Sequence, residues 1–428
     1  MVYVLNKYGK PLMPTTRYGR VRRLLSRGHA VVVDYRPFTI QLTYSTPNGV
    51  QEVSLGVDAG TKHVGFSVTN KKKVLFEAEL LLRSDIVEKL STRREFRRTR
   101  RNRKTRYRKS RFLNRTRSKK PGWIAPSVRQ KVDCHIHWIS KICKFLPIRK
   151  ITVETAQFDT QLLKAQEYGL PLPQGTDYQK GEQLGFCNVR EYVLFRDGHQ
   201  CQCCKGKSKD SKLHVHHIES RKTGGDAPNN LITLCSKCHE KYHRGEIELP
   251  KSARRGASLR DAAQMGIMRK ALFIRLKEEI GAEIPCYETY GYITKSTRSR
   301  HGLPKDHVID ARCISGNPCA CSDGKYLIIR KLRANNRQLH RATILPGGKR
   351  RNTQTPREVR GFRLMDSVEY AYRDCFLSGR RMSGKFSVAG ITGKVLVSSA
   401  SYKKLTLKHH NNTYIMEEAA FSSSTKDG

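Results

Sequence analysis

The chain has 428 residues, room for about three ordinary domains. It carries 83 Lys plus Arg against 37 Asp plus Glu, a formal charge of +46, which bears on its partners and not on its fold. The implied partner is a polyanion with many phosphates, and no apolar run approaches the roughly 18 residues that a membrane-spanning helix needs. Lys7, Lys10 and Arg17 interrupt the first segment, so no signal peptide is expected. The 13 cysteines show no disulfide framework, and a reducing cytoplasmic compartment is expected.

Residues 1–52 are expected to form a small module. A strand at 2–5 is broken by Lys10-Pro11-Leu12-Met13-Pro14. Thr15 or Thr16 can cap a helix running to about Arg27, which Gly28 ends. Strands at 30–35 and 39–44 follow. Residues 53–69, VSLGVDAGTKHVGFSVT, have two apolar halves around a Gly-containing turn and predict a hairpin with Asp58 in its first strand. A carboxylate in a buried strand is costly unless paired or metal-bound.

Residues 93–120 include 16 Lys or Arg among 28, with Glu95 the only acid. Without Gly or Pro the stretch can be helical, but like charges at i, i+4 oppose it, so order is expected only against an anionic partner. The plainer alternative is a disordered basic arm. A helix is expected at 128–145, capped by Ser127, then a strand ending in Glu154 and a polar linker over 156–185. Residues 190–200 predict a helix and turn.

Residues 201–243 hold two C-x2-C knuckles, Cys201/Cys204 and Cys235/Cys238. Four thiolates so paired are the usual ligands of a closed structural zinc site; the spacing leaves Cys203 as a bystander. Between the knuckles lie His216, His217 and Asn230, and His239 and His243 follow at i, i+4, one face of a helix. Beyond them a helix is expected at 259–280, and His307 and Asp310 share a helical face at i, i+3. From residue 323 onward, short strands such as 385–389 and 394–398 with Gly turns predict a small β-barrel. The basic run 349–363 suits phosphates, and 421–428 is expected to be disordered.

The order of Cys, His-His, Asn and His residues in 201–243 strongly resembles the HNH nucleases. The G-x-D-x-G form around Asp58 resembles the first segment of the RuvC nucleases, members of the ribonuclease H fold, although sugar-kinase-like ATPases share a similar strand. The Pro-Leu-Met-Pro string, the acid-bearing pieces in order, the Arg-rich stretch and the zinc-framed insert together resemble the IscB family of transposon-encoded, RNA-guided nucleases. That resemblance covers nearly the whole chain, and is most specific in the insert and least in the last hundred residues.

The resemblance implies an α/β multidomain protein with a ribonuclease H-like RuvC core split in three. The expected parts are an N-terminal PLMP domain at 1–52, RuvC pieces at 53–84, 121–185 (with linker) and 249–322, and an Arg-rich bridge helix at 85–120. A zinc-framed ββα HNH domain at 186–248 and a small β-rich C-terminal domain at 323–428 complete it. His216 would ligate a catalytic divalent metal, with His239 and His243 completing its site. His217, on the other strand face, would deprotonate the attacking water as a near-neutral base, and Asn230 would orient it. Asp58, Glu154 and Asp310 would hold two Mg2+ ions, and His307 would activate the water or protonate the leaving oxygen. Mg2+ is thus expected at both cutting sites and Zn2+ at the four cysteines.

Arg93, Arg94, Arg97, Arg98, Arg100, Arg101, Arg103, Arg106, Arg108, Arg111 and Arg115 would contact a guide (omega) RNA, since a planar guanidinium suits phosphate. The other partner would be double-stranded target DNA with a short adjacent motif, bound by a monomeric ribonucleoprotein away from any membrane. The HNH domain would cut the guide-paired strand and RuvC the displaced one. Three alternatives each fit part of the chain. A protein-only HNH endonuclease needs neither bridge nor split core. A junction resolvase needs no HNH insert. A non-cutting RNA-guided binder needs none of Asp58, Glu154, Asp310 or His217.

Overall fold

The structure, a computed structural model, describes residues 1–47, 49–102, 123–155, 189–219, 228–250, 260–332, 343–344, 350–351, 355–411 and 413–421. The chain divides into two compact units, one of Met1–Tyr107, Pro126–Gln157 and Met268–Gly428, the other of Arg108–Ala125 and Phe158–Ile267. Both are mixed α/β. No described helix is long and apolar enough to cross a membrane.

The N-terminal module contains β1 (Tyr3–Leu5), α1 (Tyr18–Ser26), β2 (Ala30–Tyr35) and β3 (Phe38–Leu42), with β3 central in its sheet. Val2, Val4, Val21, Ile40 and Leu42 form its core. The expected threonine cap is absent: Arg17 occupies the N-cap of α1 without a side-chain bond. The Thr16 carbonyl instead accepts from the Tyr18 N–H at 2.9 Å, so the chain is still turning as it passes the threonines. Gly28 follows the helix at φ +71, as a left-handed terminator should.

Next come β4 (Ser54–Ala59), β5 (His63–Thr69) and β6 (Val74–Leu81), two successive antiparallel pairs. The helix α2 (Ile86–Asn102) follows, then α3 (Pro126–Phe145) and β7 (Lys150–Thr155). The helix α3 begins at Pro126, so Ser127 lies inside its first turn and is not the cap; proline suits a first helical position because its missing N–H would have no intrahelical partner there.

In the second unit, α4 (Val189–Arg196) precedes the antiparallel pair β8 (Leu213–His217) and β9 (Leu231–Cys235), and α5 (Ser236–His243) leaves β9 directly. The long helix α6 (Arg260–Glu279) follows, and the first unit resumes within it at Met268. Back in the first unit, β10 (Cys286–Tyr290), α7 (Gly291–Arg300), α8 (His307–Ser315) and β11 (Lys325–Lys331) continue the chain.

The remaining strands are the short pairs β12 (Thr343–Ile344) with β13 (Arg350–Arg351) and β14 (Glu358–Val359) with β15 (Phe362–Arg363). Then come β16 (Ser367–Tyr370), β17 (Arg373–Arg380), β18 (Lys385–Ala389), β19 (Val395–Ser401), β20 (Thr406–His409) and β21 (Tyr414–Ala420).

One seven-stranded mixed sheet organises the first unit, in the order β10-β7-β4-β5-β6-β11-β21. Both β11 and β21 belong to it, so the boundary expected at 323 does not separate two folds. Those strands pair with each other and β11 pairs with β6, extending the large sheet. The expected barrel is an open five-stranded sheet, β19-β18-β17-β16-β20, over a core of Val368, Leu377, Phe386 and Val388. Its short strands leave two unjoined edges among the described residues. Residues 422–428 lie outside the described set.

The helix α8 lies directly on the β4–β5 hairpin because two glycines let it. A Cβ on Gly56 would fall 2.0 Å from the Ala311 carbonyl oxygen, and one on Gly65 1.9 Å from that of His307. Asp306 caps the helix by accepting from the Val308 N–H at 2.8 Å. A buried pair then clamps it: the Arg312 guanidinium donates to both oxygens of Glu77 at 2.7 and 3.0 Å. The Ser67 and Ser322 hydroxyls donate to the same carboxylate.

Candidate metal centres

The four knuckle cysteines Cys201, Cys204, Cys235 and Cys238 bring their sulfurs within 4.8 Å of one another. The Cys204 and Cys235 sulfurs stand 3.8 Å apart. Four sulfurs set tetrahedrally about 2.3 Å from a zinc ion would be about 3.8 Å apart, so the site fits Zn2+. The local fold explains the convergence. Cys201 opens a tight turn with Lys205 and Gly206 at positive φ, while Cys235 ends β9 as the N-cap of α5 and Cys238 sits in the first turn. The Ser208 hydroxyl lies 3.1 Å from the Cys235 sulfur and 3.3 Å from that of Cys204, a partner sequence spacing did not reveal. Cys203 is not among the four convergent sulfurs, and burial and the neighbouring thiols push it up to about 11.

A second cluster lies in the same unit. His216, His239 and His243 each place a ring nitrogen within 4.8 Å of the others. The His239 and His243 Nε2 atoms are 3.3 Å apart. Burial, then the two other imidazoles, pushes His216 down to about 4, so it is neutral and keeps a lone pair for a ligand. Three protein nitrogens with further positions open suit a borderline divalent ion. Mg2+, expected here as at the carboxylates, prefers oxygen ligands and is the poorer match to this donor set.

Strand alternation puts His217 on the opposite face of β8 from His216. It also puts His214 on the His216 face. The His214 ring stacks on His239 at 5.1 Å, and its Nε2 lies 3.1 Å from the Ser236 hydroxyl. The period-two pattern could have revealed His214. Asn230 is fully buried, and its amide bonds both the N–H and the carbonyl of Glu219 at 2.9 and 3.1 Å. It thus fastens the main chain two residues beyond His217.

In the first unit, β4 and β7 run parallel with Asp58 opposite Glu154. Paired residues project from the same face of a sheet. The helix α8 adds His307 and Asp310. His307 Nδ1 stands 2.6 Å from Asp58 Oδ2, and that bond chiefly raises the imidazole pKa. Arg298 donates to Asp310 at 2.5 Å, and the Thr294 hydroxyl donates to Glu154. Glu154 is pushed up to about 7, first by burial, with Asp58 and Asp310 adding to it. Burial, with Asp58 adding, also raises Asp310.

Asp58 and Asp310 act on Glu154, and Asp58 on Asp310; among the described residues these three carboxyls do not bring ligand atoms within 4.8 Å of one another, and their oxygen donors suit hard cations. Two ions about 4 Å apart would spread such ligands more widely than one ion does. Thr294 and Arg298, both on α7, carry no motif in the sequence, and only the tertiary fold sets α7 against Glu154 and Asp310.

The basic stretch is helical as far as the structure describes it: α2 runs through Asn102 and includes Arg93, Arg94, Arg97, Arg98, Arg100 and Arg101. Its like charges at i, i+4 alone would predict order only with an anionic partner. Asp85 and Glu88 at its start favour the helix, since acids near an N-terminus offset the dipole. Arg103, Arg106, Arg108, Arg111 and Arg115 lie outside the described residues.

A two-stranded antiparallel pair followed by a helix, with imidazoles converging from β8 and α5 beside a thiol cage, defines a ββα metal-binding unit. The HNH endonuclease family matches it, over residues 201–245, and the RRXRR protein family matches residues 2–181. The chain thus carries an RRXRR region and an HNH endonuclease domain. Anaredoxin of Nostoc sp. (strain PCC 7120 / SAG 25.82 / UTEX 2576) is 39% identical over 62 residues, 14% of this chain and 79% of that protein; over those residues the chain belongs to its family.

Among solved structures, Streptococcus thermophilus Cas9 in complex with AGGA PAM is similar at 12% identity and TM-score 0.28. The match covers 45% of this chain and 26% of that one. The same protein with the AGAA PAM gives 13% identity and TM-score 0.28 over the same shares. The chain spans about a quarter of the length of these solved chains.

Proposed function

We propose that the chain is an RNA-guided DNA endonuclease with two cutting centres, the function its resemblance to the IscB family implies. The observation that carries this is the pairing of Asp58 with Glu154 across β4 and β7, in a chain that also holds an HNH endonuclease domain. A binder needs neither cutting centre, and a protein-only HNH nuclease needs no second one. The RRXRR match supports treating the N-terminal module, the Asp58 hairpin, the basic stretch and the Glu154 strand as one region, since it spans all four.

In the insert, His216, His239 and His243 hold a borderline divalent ion, and His217 takes the proton of the attacking water from the other face. Asn230 orients His217 while it does so. In the ribonuclease H-like, RuvC-type core, Asp58, Glu154 and Asp310 hold Mg2+. His307, steadied through Nδ1 by Asp58, offers its other nitrogen to the water or leaving oxygen. When bound, the ions stabilise charge on the scissile phosphate and lower the pKa of water. The four cysteines hold a structural Zn2+. The arginines from Arg93 to Arg115 form a bridge that lies along the guide RNA, and the β-rich C-terminal region meets the guide and a short motif in duplex DNA. The HNH centre cuts the guide-paired strand, the carboxylate centre the displaced one, within a monomeric cytoplasmic ribonucleoprotein.

The test is cutting of a duplex labelled differently on its two strands, using protein purified with whatever RNA it carries. Asp58→Ala is expected to spare one strand and His217→Ala the other, and sequencing to find one discrete RNA. An Asp58→Ala protein that cuts both strands at the unmodified rate would overturn the carboxylate centre. Full cutting without bound RNA would overturn guidance.

A further inference from the structure

Register places two further ligands beside the carboxylates. In the β5–β6 pair Glu79 lies opposite Gly65, and His63 is two residues before that glycine, so His63 and Glu79 share a face. Gly65 has no side chain to fill the space between them. The first turn of α8 approaches there, with the His307 carbonyl where a Gly65 Cβ would be. The His63 and His307 rings stack at 5.2 Å and 9°. His63 Nδ1 lies 2.8 Å from Glu79 Oε1. One ligand atom from each of His63, Glu79 and His307 falls within 4.8 Å of the others.

We propose that His63, Glu79 and His307 form a further metal site, separate from the thiol and imidazole centres and sharing His307 with the carboxylate centre, that takes a borderline divalent transition ion such as Zn2+. Two imidazoles and one carboxylate are a donor set that zinc and its neighbours accept and Mg2+ does not favour. The imidazoles of His63 and His307 are 45% and 47% exposed, so an ion enters directly from solvent. Asp58 bonds His307 Nδ1 and so supplies the carboxylate–histidine support typical of metal-ligating imidazoles. An ion held here engages the imidazole that the carboxylate centre uses. Resting on the function proposed above, it follows that free zinc slows cutting of the displaced strand.

Equilibrium dialysis of the full chain against micromolar zinc tests the site in the unmodified protein, His63→Ala and Glu79→Gln. Each variant is expected to bind one zinc fewer per chain, or to bind that ion roughly tenfold or more weakly. Equal number and affinity in all three would overturn the site. Anomalous scattering at the zinc edge from crystals soaked in zinc gives a second measurement. Density between the three side chains supports the site, and density confined to the thiol and imidazole clusters rejects it. Strand-specific cutting is then read with added zinc. Inhibition relieved by His63→Ala supports the consequence. Zinc bound at the site without inhibition leaves the site standing and counts against the role of His307 in cutting.

Discussion

The imidazole centre of the insert and the carboxylate centre of the large sheet are built on opposite plans. The first draws its three nitrogens from β8 and α5, within 28 residues of chain. The second draws Asp58, Glu154 and Asp310 from a hairpin, a crossover strand and a helix 252 residues past the first acid. Burial pushes His216 and His239 down and Glu154 and Asp310 up, each toward its neutral form. The outcome differs in kind. A neutral imidazole is already a ligand, whereas a neutral Glu154 must lose a proton first. One centre is prepared for metal by burial and the other is held back by it.

The sharpest break of this comparison is Cys235→Ser. In small zinc domains the metal contributes about 10–16 kcal/mol of apparent binding energy, which is also folding energy. The insert is expected to lose its zinc and unfold, while the large sheet keeps its own melting transition. Zinc analysis with calorimetry on the same sample reads both, and an insert that melts normally without zinc would refute a structural role for the cage.

Arg312→Met strikes the other plan. It leaves Glu77, whose side chain is wholly buried, without its partner, which costs about 3–5 kcal/mol. Denaturant titration should show the loss in the first unit alone. Because that pair clamps α8, the cut assigned to Asp58 should weaken too, while the HNH cut remains.

A pH series on protein that keeps its cage zinc and no other metal sharpens the contrast, because the signs differ. Glu154 rises from 4.5 to about 7 in the fold, so the folded state binds the extra proton. Its stabilising contribution is complete below pH 4.5 and is lost as pH rises through 7. His216 falls from 6.5 to about 4. Its contribution is present above pH 6.5 and is lost as pH falls through 4. Between these limits the first unit is expected to lose stability with rising pH and the insert to gain it. Glu154→Gln should flatten the first slope, and Mg2+ should offset it. Parallel slopes in the two melting transitions would contradict the assignment.

The smallest expected effect is on the salt dependence of RNA binding. Changing Arg97, Arg100, Arg101 and Arg108 together to Ala should lower its logarithmic slope by about three units, with zinc content unchanged. Equal losses for cognate and scrambled RNA, with cutting retained, would make the stretch a non-specific arm.

What sequence determined was local. The C-x2-C spacing, the His216/His217 alternation and the i, i+4 step from His239 to His243 each depend on a fixed backbone period, and the structure brings the four cysteines together and His216 together with His239 and His243. The Asp58 hairpin and the Glu154 strand were legible for the same reason, as apolar runs bounded by turns. Tertiary structure decided everything that depends on which distant segments meet. Strand register set Asp58 opposite Glu154, and the close approach allowed by Gly56 and Gly65 brought α8 onto the hairpin. Sheet pairing drew β11 and β21 away from the C-terminal sheet, and that sheet remained open where local spacing suggested closure. Thr294, Arg298, His63 and Glu79 carry no short-range signal, because their partners lie on other elements. A period along one element can be read from its own residues; a contact between elements depends on the packing of the whole unit.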